Sequence, residues 1–394
     1  MIRRDRNHPS IVFWSIGNEE FSQQDTARGE RIAVAMKRLV HELDPTRPIT
    51  AAVNDGTFPG TGIAPVLDVM GCNYNTTYIL DFHARFPHQP VVATENGSTV
   101  STRGVYVRDP ASGYCVAYDT EAPNWASTAE AWWNVVGPRP FICGGFVWTG
   151  FDYRGEPTPF NRWPNVSSQF GLMDMCGFPK DNFYYYKAWW GNEPLLHLFP
   201  HWNWQGREGR SINVWCHSNL DRVELLLNGQ SQGSRDVVPL KHVEWDVAYA
   251  PGALEARGYK NGKLVLTARR ETTGVAAQIV LCPDRTTINA DGEDVVCVTV
   301  EISDAQGRIV PTADNPVVFA LSGPGSLIGV GNGDPRSHED DKASSRHAFN
   351  GLCMAILQAS KSAGQIRITA TSPGLSAGAA TIDALPAKAR VCVP

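Results

Sequence analysis

A chain of 394 residues is longer than one hydrophobic core usually serves and predicts two or three domains. Its composition, 42% hydrophobic with 19% charged, is that of a soluble globular protein, and a net charge of -5 gives no electrostatic reason to expect nucleic acid or an anionic membrane as partner. No apolar run reaches transmembrane length, and MIRRDRNHPS at the N-terminus is basic, then polar, then runs straight into a strand, which is not a signal-peptide layout. Nine cysteines lie scattered with no CxxC or other close pair. That pattern speaks against a zinc site or a disulfide framework and for buried reduced thiols. No other His or Cys shows ligand spacing, so neither a metal site nor a cofactor is expected.

Up to about residue 192, strand-like and helix-like stretches alternate. IVFWSI (11–16) is a short β-rich run. A helical pattern follows, with Ile32, Met36, Leu39, Val40 and Leu43 on one face, Asp25 or Thr26 as cap and Pro45 past its end. Then come ITAAV (49–53), VLDVMG (66–71), a helical ILDFHARF (79–86), PVVAT (90–94), a helical STAEAWWNVV (127–136) and FICGGFVW (141–148). Apolar runs without alternation suit strands buried on both faces, so the reading is an α/β barrel or a doubly wound sheet. Beyond Pro194 the texture changes to short strands separated by turn signals such as Asn228-Gly229 and Asn261-Gly262. A second all-β block starts near 276, with a hairpin turn at DAQG (304–307) and a polar loop at SHEDDKASSRH (337–347). Regular spacing of turns predicts two immunoglobulin-like sandwiches. The expected domains are 1–192, 193–272 and 273–394.

The most informative stretch is RDRNHPSIVFWSIGNEE (4–20), in which an apolar strand ends in Gly17 and delivers Asn18 and Glu19 at its C-terminal edge. Catalytic groups of α/β barrels sit at that edge. The arrangement recurs at PVVATENG (90–97), where a second apolar strand ends in Glu95. Two carboxylates on nearby strand ends are what glycoside hydrolysis needs, one protonated to assist the leaving oxygen and one ionised to attack the anomeric carbon. Taken alone, a Glu just after a strand is more often a solvated loop residue. The paired arrangement favours chemistry, and Glu20 should point elsewhere than Glu19.

RDRNHPSIVFWSIGNEE resembles the acid/base segment of glycoside hydrolase family 2, the β-galactosidase and β-glucuronidase family, and PVVATENG resembles its nucleophile strand. GGFVWTGFDYRGEPTPF (144–160) and QFGLMDMCGFPKDNFYYYKAWW (169–190) resemble the family's last barrel strand and closing segment. The resemblance implies double displacement, with Glu95 as nucleophile, Glu19 as acid/base and carboxyls about 5–5.5 Å apart. It further implies that Asn18 contacts the sugar 2-hydroxyl, that Tyr74 hydrogen-bonds the nucleophile and that Trp148 floors the sugar site. Asp152 is expected to bind substrate, with turn capping as its structural alternative. His8 and Arg6 are expected to be structural, and Trp132, Trp133, Trp189 and Trp190 to be helix-face core.

In the family the acid/base follows the fourth of eight strands, whereas here it stands at residue 19 with five strands visible. A C-terminal part of a (β/α)8 barrel is therefore expected, completed by a missing N-terminal segment or by another chain, and a homo-oligomer fits the same need. Arg154 and Arg162, but no Lys, lie between Phe151 and Gly171, which favours a β-galactoside over a uronide, with mannosides as an alternative. The substrate partner is then an oligosaccharide or β-glycoside, and the resemblance implies a bacterial periplasmic or extracellular setting, which the residues themselves leave open. The contrasting reading is a non-catalytic carbohydrate-binding or adhesion protein built on a vestigial half-barrel.

Overall fold

The computed structural model describes residues 1–20, 24, 26–54 and 62–388. Asp25, one of the two expected caps, and Cys392 lie outside these residues. The chain forms two compact units, one of Met1–Val100 with Asp119–Gly150 and one of Ser101–Tyr118 with Phe151–Pro394.

The first unit runs through α1 (Ile2–Asp5), β1 (Trp14–Asn18), α2 (Ala27–Leu43), β2 (Ile49–Val53), β3 (Met70–Asn73), α3 (Thr76–Arg85), β4 (Val91–Asn96), α4 (Ala129–Val136) and β5 (Ile142–Val147). All four strand pairings are parallel and the order is β1-β2-β3-β4-β5. A sheet in which each strand lies beside its sequence neighbour winds one way, as barrels do; a doubly wound sheet reverses at a switch point. The apolar runs follow from burial: every residue of β2 and β3 is buried. Gly71 allows the closest approach, since a Cβ there would lie 2.5 Å from the Ala51 carbonyl oxygen.

Thr26 caps α2, its hydroxyl accepting from the Gly29 N–H at 3.0 Å. The buried face of α2 is Gly29, Ala33 and Val40, whereas Met36 and Leu39 of the expected stripe are exposed. On the rotated face Lys37 turns inward, pairing with Asp68 at 2.5 Å and donating to the Val66 carbonyl. The N-terminal segment is held from β2's side: Arg47 donates to the carbonyls of Arg6, His8 and Ile11 and pairs with Asp44, which also accepts from the Trp14 indole. These bonds to Arg6 and His8 use their backbones, as a structural role requires.

The second unit continues with α5 (Asp181–Trp190), in which Trp190 is exposed rather than core. Next come β6 (Leu196–Phe199), β7 (Ser211–Ser218), β8 (Arg222–Leu227), β9 (Gln230–Asp236), β10 (Val243–Ala248), β11 (Ala253–Lys260) and β12 (Lys263–Glu271). They make two sheets, β10-β7-β6 and β12-β11-β8-β9, around Leu198, Trp202, Val214, Val223, Leu225 and Trp245. At Asn228-Gly229 and Asn261-Gly262 both residues have positive φ, as a two-residue hairpin matching the strand twist demands.

The last block holds β13 (Gln278–Pro283), β14 (Thr287–Ala290), β15 (Val295–Ser303), β16 (Pro316–Ser322), β17 (Gly325–Gly331), β18 (Ser345–His347), β19 (Leu352–Ala359), β20 (Gly364–Thr371) and β21 (Gly378–Pro386). Its sheets, β13-β15-β19-β17 and β14-β21-β20-β16-β18, enclose Val298, Val300, Ile302, Val317, Leu357 and Ile366. The polar stretch 337–347 ends as β18 rather than staying a loop throughout. The eight described cysteines are all free thiols, yet Cys143 and Cys282 are exposed rather than buried. Among the described residues no helix is long and apolar enough to cross a membrane.

Candidate active site

The C-terminal ends of β1, β3 and β4 carry the polar residues of the first unit's sheet. β1 ends at Asn18, and Glu19 follows in the left-handed region at φ 53°, its N–H donating to the Ala52 carbonyl at 3.0 Å. β3 ends at Asn73, and Tyr74 turns out of it at φ 59°, its N–H donating to the Glu95 carbonyl at 2.6 Å. Left-handed backbone costs a non-glycine residue about 1 kcal/mol, and such positions cluster where a side chain must be aimed. Glu19 is turned to Asn73 and Tyr74 to Glu95.

Three hydrogen bonds join the strand ends. The Tyr74 hydroxyl donates to Glu95 Oε2 at 2.8 Å. The Asn73 amide donates to Glu19 Oε1 at 2.8 Å and to Asn18 Oδ1 at 3.1 Å. The Thr94 hydroxyl in turn donates to Asn73 Oδ1 at 2.6 Å, which fixes which way the amide faces. Asn73 thus ties the end of β1 to the end of β3, and Tyr74 ties the end of β3 to β4. Tyr74 is itself steadied by Trp125, whose ring lies edge-on with centroids 4.8 Å apart. Trp148, just past β5, donates its N–H to the Asn96 carbonyl at 3.0 Å, and its own carbonyl accepts from the Ser98 hydroxyl at 2.5 Å.

Partial burial pushes the Glu95 carboxyl above its ordinary range. The Tyr74 hydrogen bond opposes that, the negative charge of Glu19 adds to it, and Asn73 and Asn18 oppose it again. The negative charge of Glu19 is therefore close enough to be felt at Glu95.

Of the residues singled out from the sequence, Asn18, Glu19, Tyr74, Glu95 and Trp148 belong to this unit. Asp152 belongs to the other. It is buried, with Oδ2 paired to Lys180 at 2.7 Å and Oδ1 accepting the Gly171 N–H at 2.7 Å. Burial pushes its carboxyl up to about 7 even though Lys180 pulls the other way. Sequence reasoning missed Asn73 and Trp125. Asn73 had a signal, a polar residue immediately before Tyr74 on an otherwise apolar strand; Trp125 sits in an irregular Pro-rich segment and had none.

A one-way parallel sheet with acidic and amide groups converging at its C-terminal edge, followed by all-β blocks, is the layout of a barrel-type glycosidase. The comparisons agree. Residues 1–111 match the glycosyl hydrolases family 2 TIM barrel domain, 279–381 match the glycoside hydrolase family 2 C-terminal domain 5, and 209–266 match a domain of unknown function, DUF4982. A protein named beta-galactosidase BoGH2A from Bacteroides ovatus is 38% identical over 97% of this chain and 50% of its own length. A putative beta-glucuronidase of Formosa agariphila is 31% identical over 85% of this chain and 34% of its own length. The crystal structure of a beta-glycosidase from Bacteroides vulgatus superimposes with a TM-score of 0.86 at 32% identity, covering 97% of this chain and 52% of that one. The chain belongs to glycoside hydrolase family 2. It spans half or less of the length of these curated relatives.

Proposed function

We propose that the chain carries the catalytic pair of a retaining glycosidase that releases terminal β-D-galactosyl units by double displacement. Glu95 attacks the anomeric carbon and forms a glycosyl-enzyme. Glu19 protonates the departing oxygen and then takes a proton from the water that cleaves the intermediate. The observation that carries this reading is the strand-end network, in which Tyr74 holds one carboxyl and Asn73 the other. Tyr74 stabilises Glu95 in the ionised form that attack requires. Asn18 and Trp148 are assigned to the sugar. Asp152 has both carboxylate oxygens engaged by protein groups, so its assigned contribution is to hold the segment 151–171 in place. The all-β blocks are read as immunoglobulin-like sandwiches, with domains at 1–192, 193–272 and 273–394.

A galactoside is favoured over a glucuronide because the arginines of the segment 151–171 are engaged by other protein groups. Arg154 pairs with Asp341 at 2.6 Å and Arg162 donates to the Pro110 carbonyl at 2.7 Å. Lys180, the next basic residue, is buried against Asp152. A glucuronide is the second reading, because the Formosa agariphila relatives carry that name.

Nitrophenyl β-galactoside, glucuronide and mannoside distinguish the readings. Turnover of the galactoside is expected to fall on the order of 10³-fold or more in Glu95→Gln. Glu19→Ala is expected to keep the glycosylation step with a dinitrophenyl leaving group and to regain turnover with azide, because a good leaving group needs no proton. Preference for the glucuronide selects the second reading, and turnover that survives Glu95→Gln refutes the pair.

A further inference from the structure

Within the second unit a cavity of about 510 Å³ lies where the segment around Tyr106, the start of α5, the end of β12 and the loop before β19 come together. A second cavity of about 440 Å³ shares Gly104, Tyr106 and His201 with the first, so the two adjoin at these residues and are treated as one groove.

Most charges in the groove are matched. Arg103 pairs with Asp174 at 2.6 Å, Lys180 with Asp152 at 2.7 Å, Arg308 with Asp304 at 2.7 Å and Arg269 with Glu271 at 3.1 Å. Asp181 is turned to the Tyr106 hydroxyl at 2.8 Å and His197 Nε2 at 2.7 Å. Those contacts dock one segment on another and need no ligand. Two cations stand outside them. Among the described residues the Arg270 guanidinium meets no carboxylate and donates only to the Arg269 carbonyl at 3.3 Å. In the adjoining cavity Arg207 is the one charged residue among those lining it, and it lies over the Trp204 ring at 5.5 Å.

The walls between them are aromatic and neutral. Tyr184 stacks on His197 with centroids 3.8 Å apart, and His201 packs against Trp204 at 4.8 Å and edge-on to Tyr106 at 5.3 Å. Burial lowers His201 to about 4, so its ring offers hydrogen bonds without charge at neutral pH. Ring faces take the apolar side of a sugar, and an unpaired planar guanidinium takes a carboxylate in two parallel hydrogen bonds.

We propose that this groove is a non-catalytic binding site for an acidic oligosaccharide, with uronate carboxylates on Arg270 and Arg207 and sugar rings against Tyr106 and Tyr184. The site stands apart from the assignment of Glu19 and Glu95, since no residue lining it belongs to the unit that holds them.

Titration calorimetry of the whole chain with tri-galacturonate tests it. Saturable binding is expected, weakened by about tenfold in Arg207→Gln and in Arg270→Gln and lost in the double variant. It should also weaken at about 0.5 M salt. Among the described residues neither arginine anchors a carboxylate, so the variants are expected to melt with the parent chain, which separates lost binding from lost fold. Absence of binding to the parent chain at millimolar ligand overturns the proposal. So does binding that survives the double substitution, which places the ligand elsewhere.

Discussion

At the scale of single residues, Tyr74 decides the charge on the proposed nucleophile. Glu95 is pushed up by burial and by Glu19, and drawn down by Tyr74 first and by the two asparagines after it. Removing the phenol leaves the upward influences in place, so in Tyr74→Phe the Glu95 carboxyl ionises at a higher pH. The acidic limb of the kcat/KM profile is therefore expected to move to higher pH, with a loss of about 10²-fold at neutral pH. A profile whose acidic limb stays put counts against Glu95 as the group that must be ionised. Glu19 and Glu95 were legible in the sequence because each follows an apolar strand that stops abruptly at a polar residue, whereas Tyr74 was singled out only through the family resemblance. The partnership of Asn73 with Glu19 was not. It joins residues 54 positions apart, and nothing in either local pattern says which strand ends become neighbours.

At the scale of elements, the segment 151–174 depends on a buried ion pair. Lys180 is 1% and Asp152 4% exposed in their side chains, and the Lys180 ammonium also donates to the carbonyls of Ser101 and Gln169. Lys180→Met leaves an unpaired carboxyl in place, at a cost of about 3–5 kcal/mol. The sign follows from the carboxyl already being raised to about 7 by burial: without Lys180 it rises further, while in the unfolded chain it ionises near 4. The variant therefore loses stability progressively as pH rises above about 4, and its melting temperature at pH 8 should fall further below the parent's than at pH 5. An equal deficit at both values argues that Asp152 stays ionised. Elements themselves were legible where chemistry is local: ITAAV and SINVWCHS lie within the strands Ile49–Val53 and Ser211–Ser218, and both Asn-Gly turns are hairpins. β9 was not, because QSQGSRD has no apolar side chain, lies wholly exposed and is recognised as a strand by its pairing with β8. The buried face of α2 was misplaced as well: Lys37 faces Asp68 while Met36 and Leu39 are exposed, which apolar spacing alone does not foretell.

At the scale of the molecule, the last block has a core of its own, drawn wholly from residues 279–384. Residues 273–394 expressed alone are therefore expected to fold cooperatively, with β-type circular dichroism and dispersed amide resonances. A fragment that stays unfolded shows that the proposed boundary at 272 cuts through a single cooperative domain. The one-way sheet was readable as alternation of strand and helix, but the choice between barrel and doubly wound rested on the family resemblance until the strand order was seen.

Arg103 carries a different kind of information. It is buried, its Nε bound to Asp174, while its Nη2 donates to the carbonyls of Asn332 and Phe349 at 2.9 Å each. The Phe349 carbonyl belongs to a residue 246 positions later in the chain. At about 5–20 residues per second a ribosome needs some tens of seconds to deliver it. During that interval the segment 101–118 has its guanidinium but not the carbonyls that receive it. Vectorial synthesis thus makes the last domain the timekeeper of the first half. Until Asn332 and Phe349 emerge, Asp174 is the one of these partners that the Arg103 guanidinium can reach.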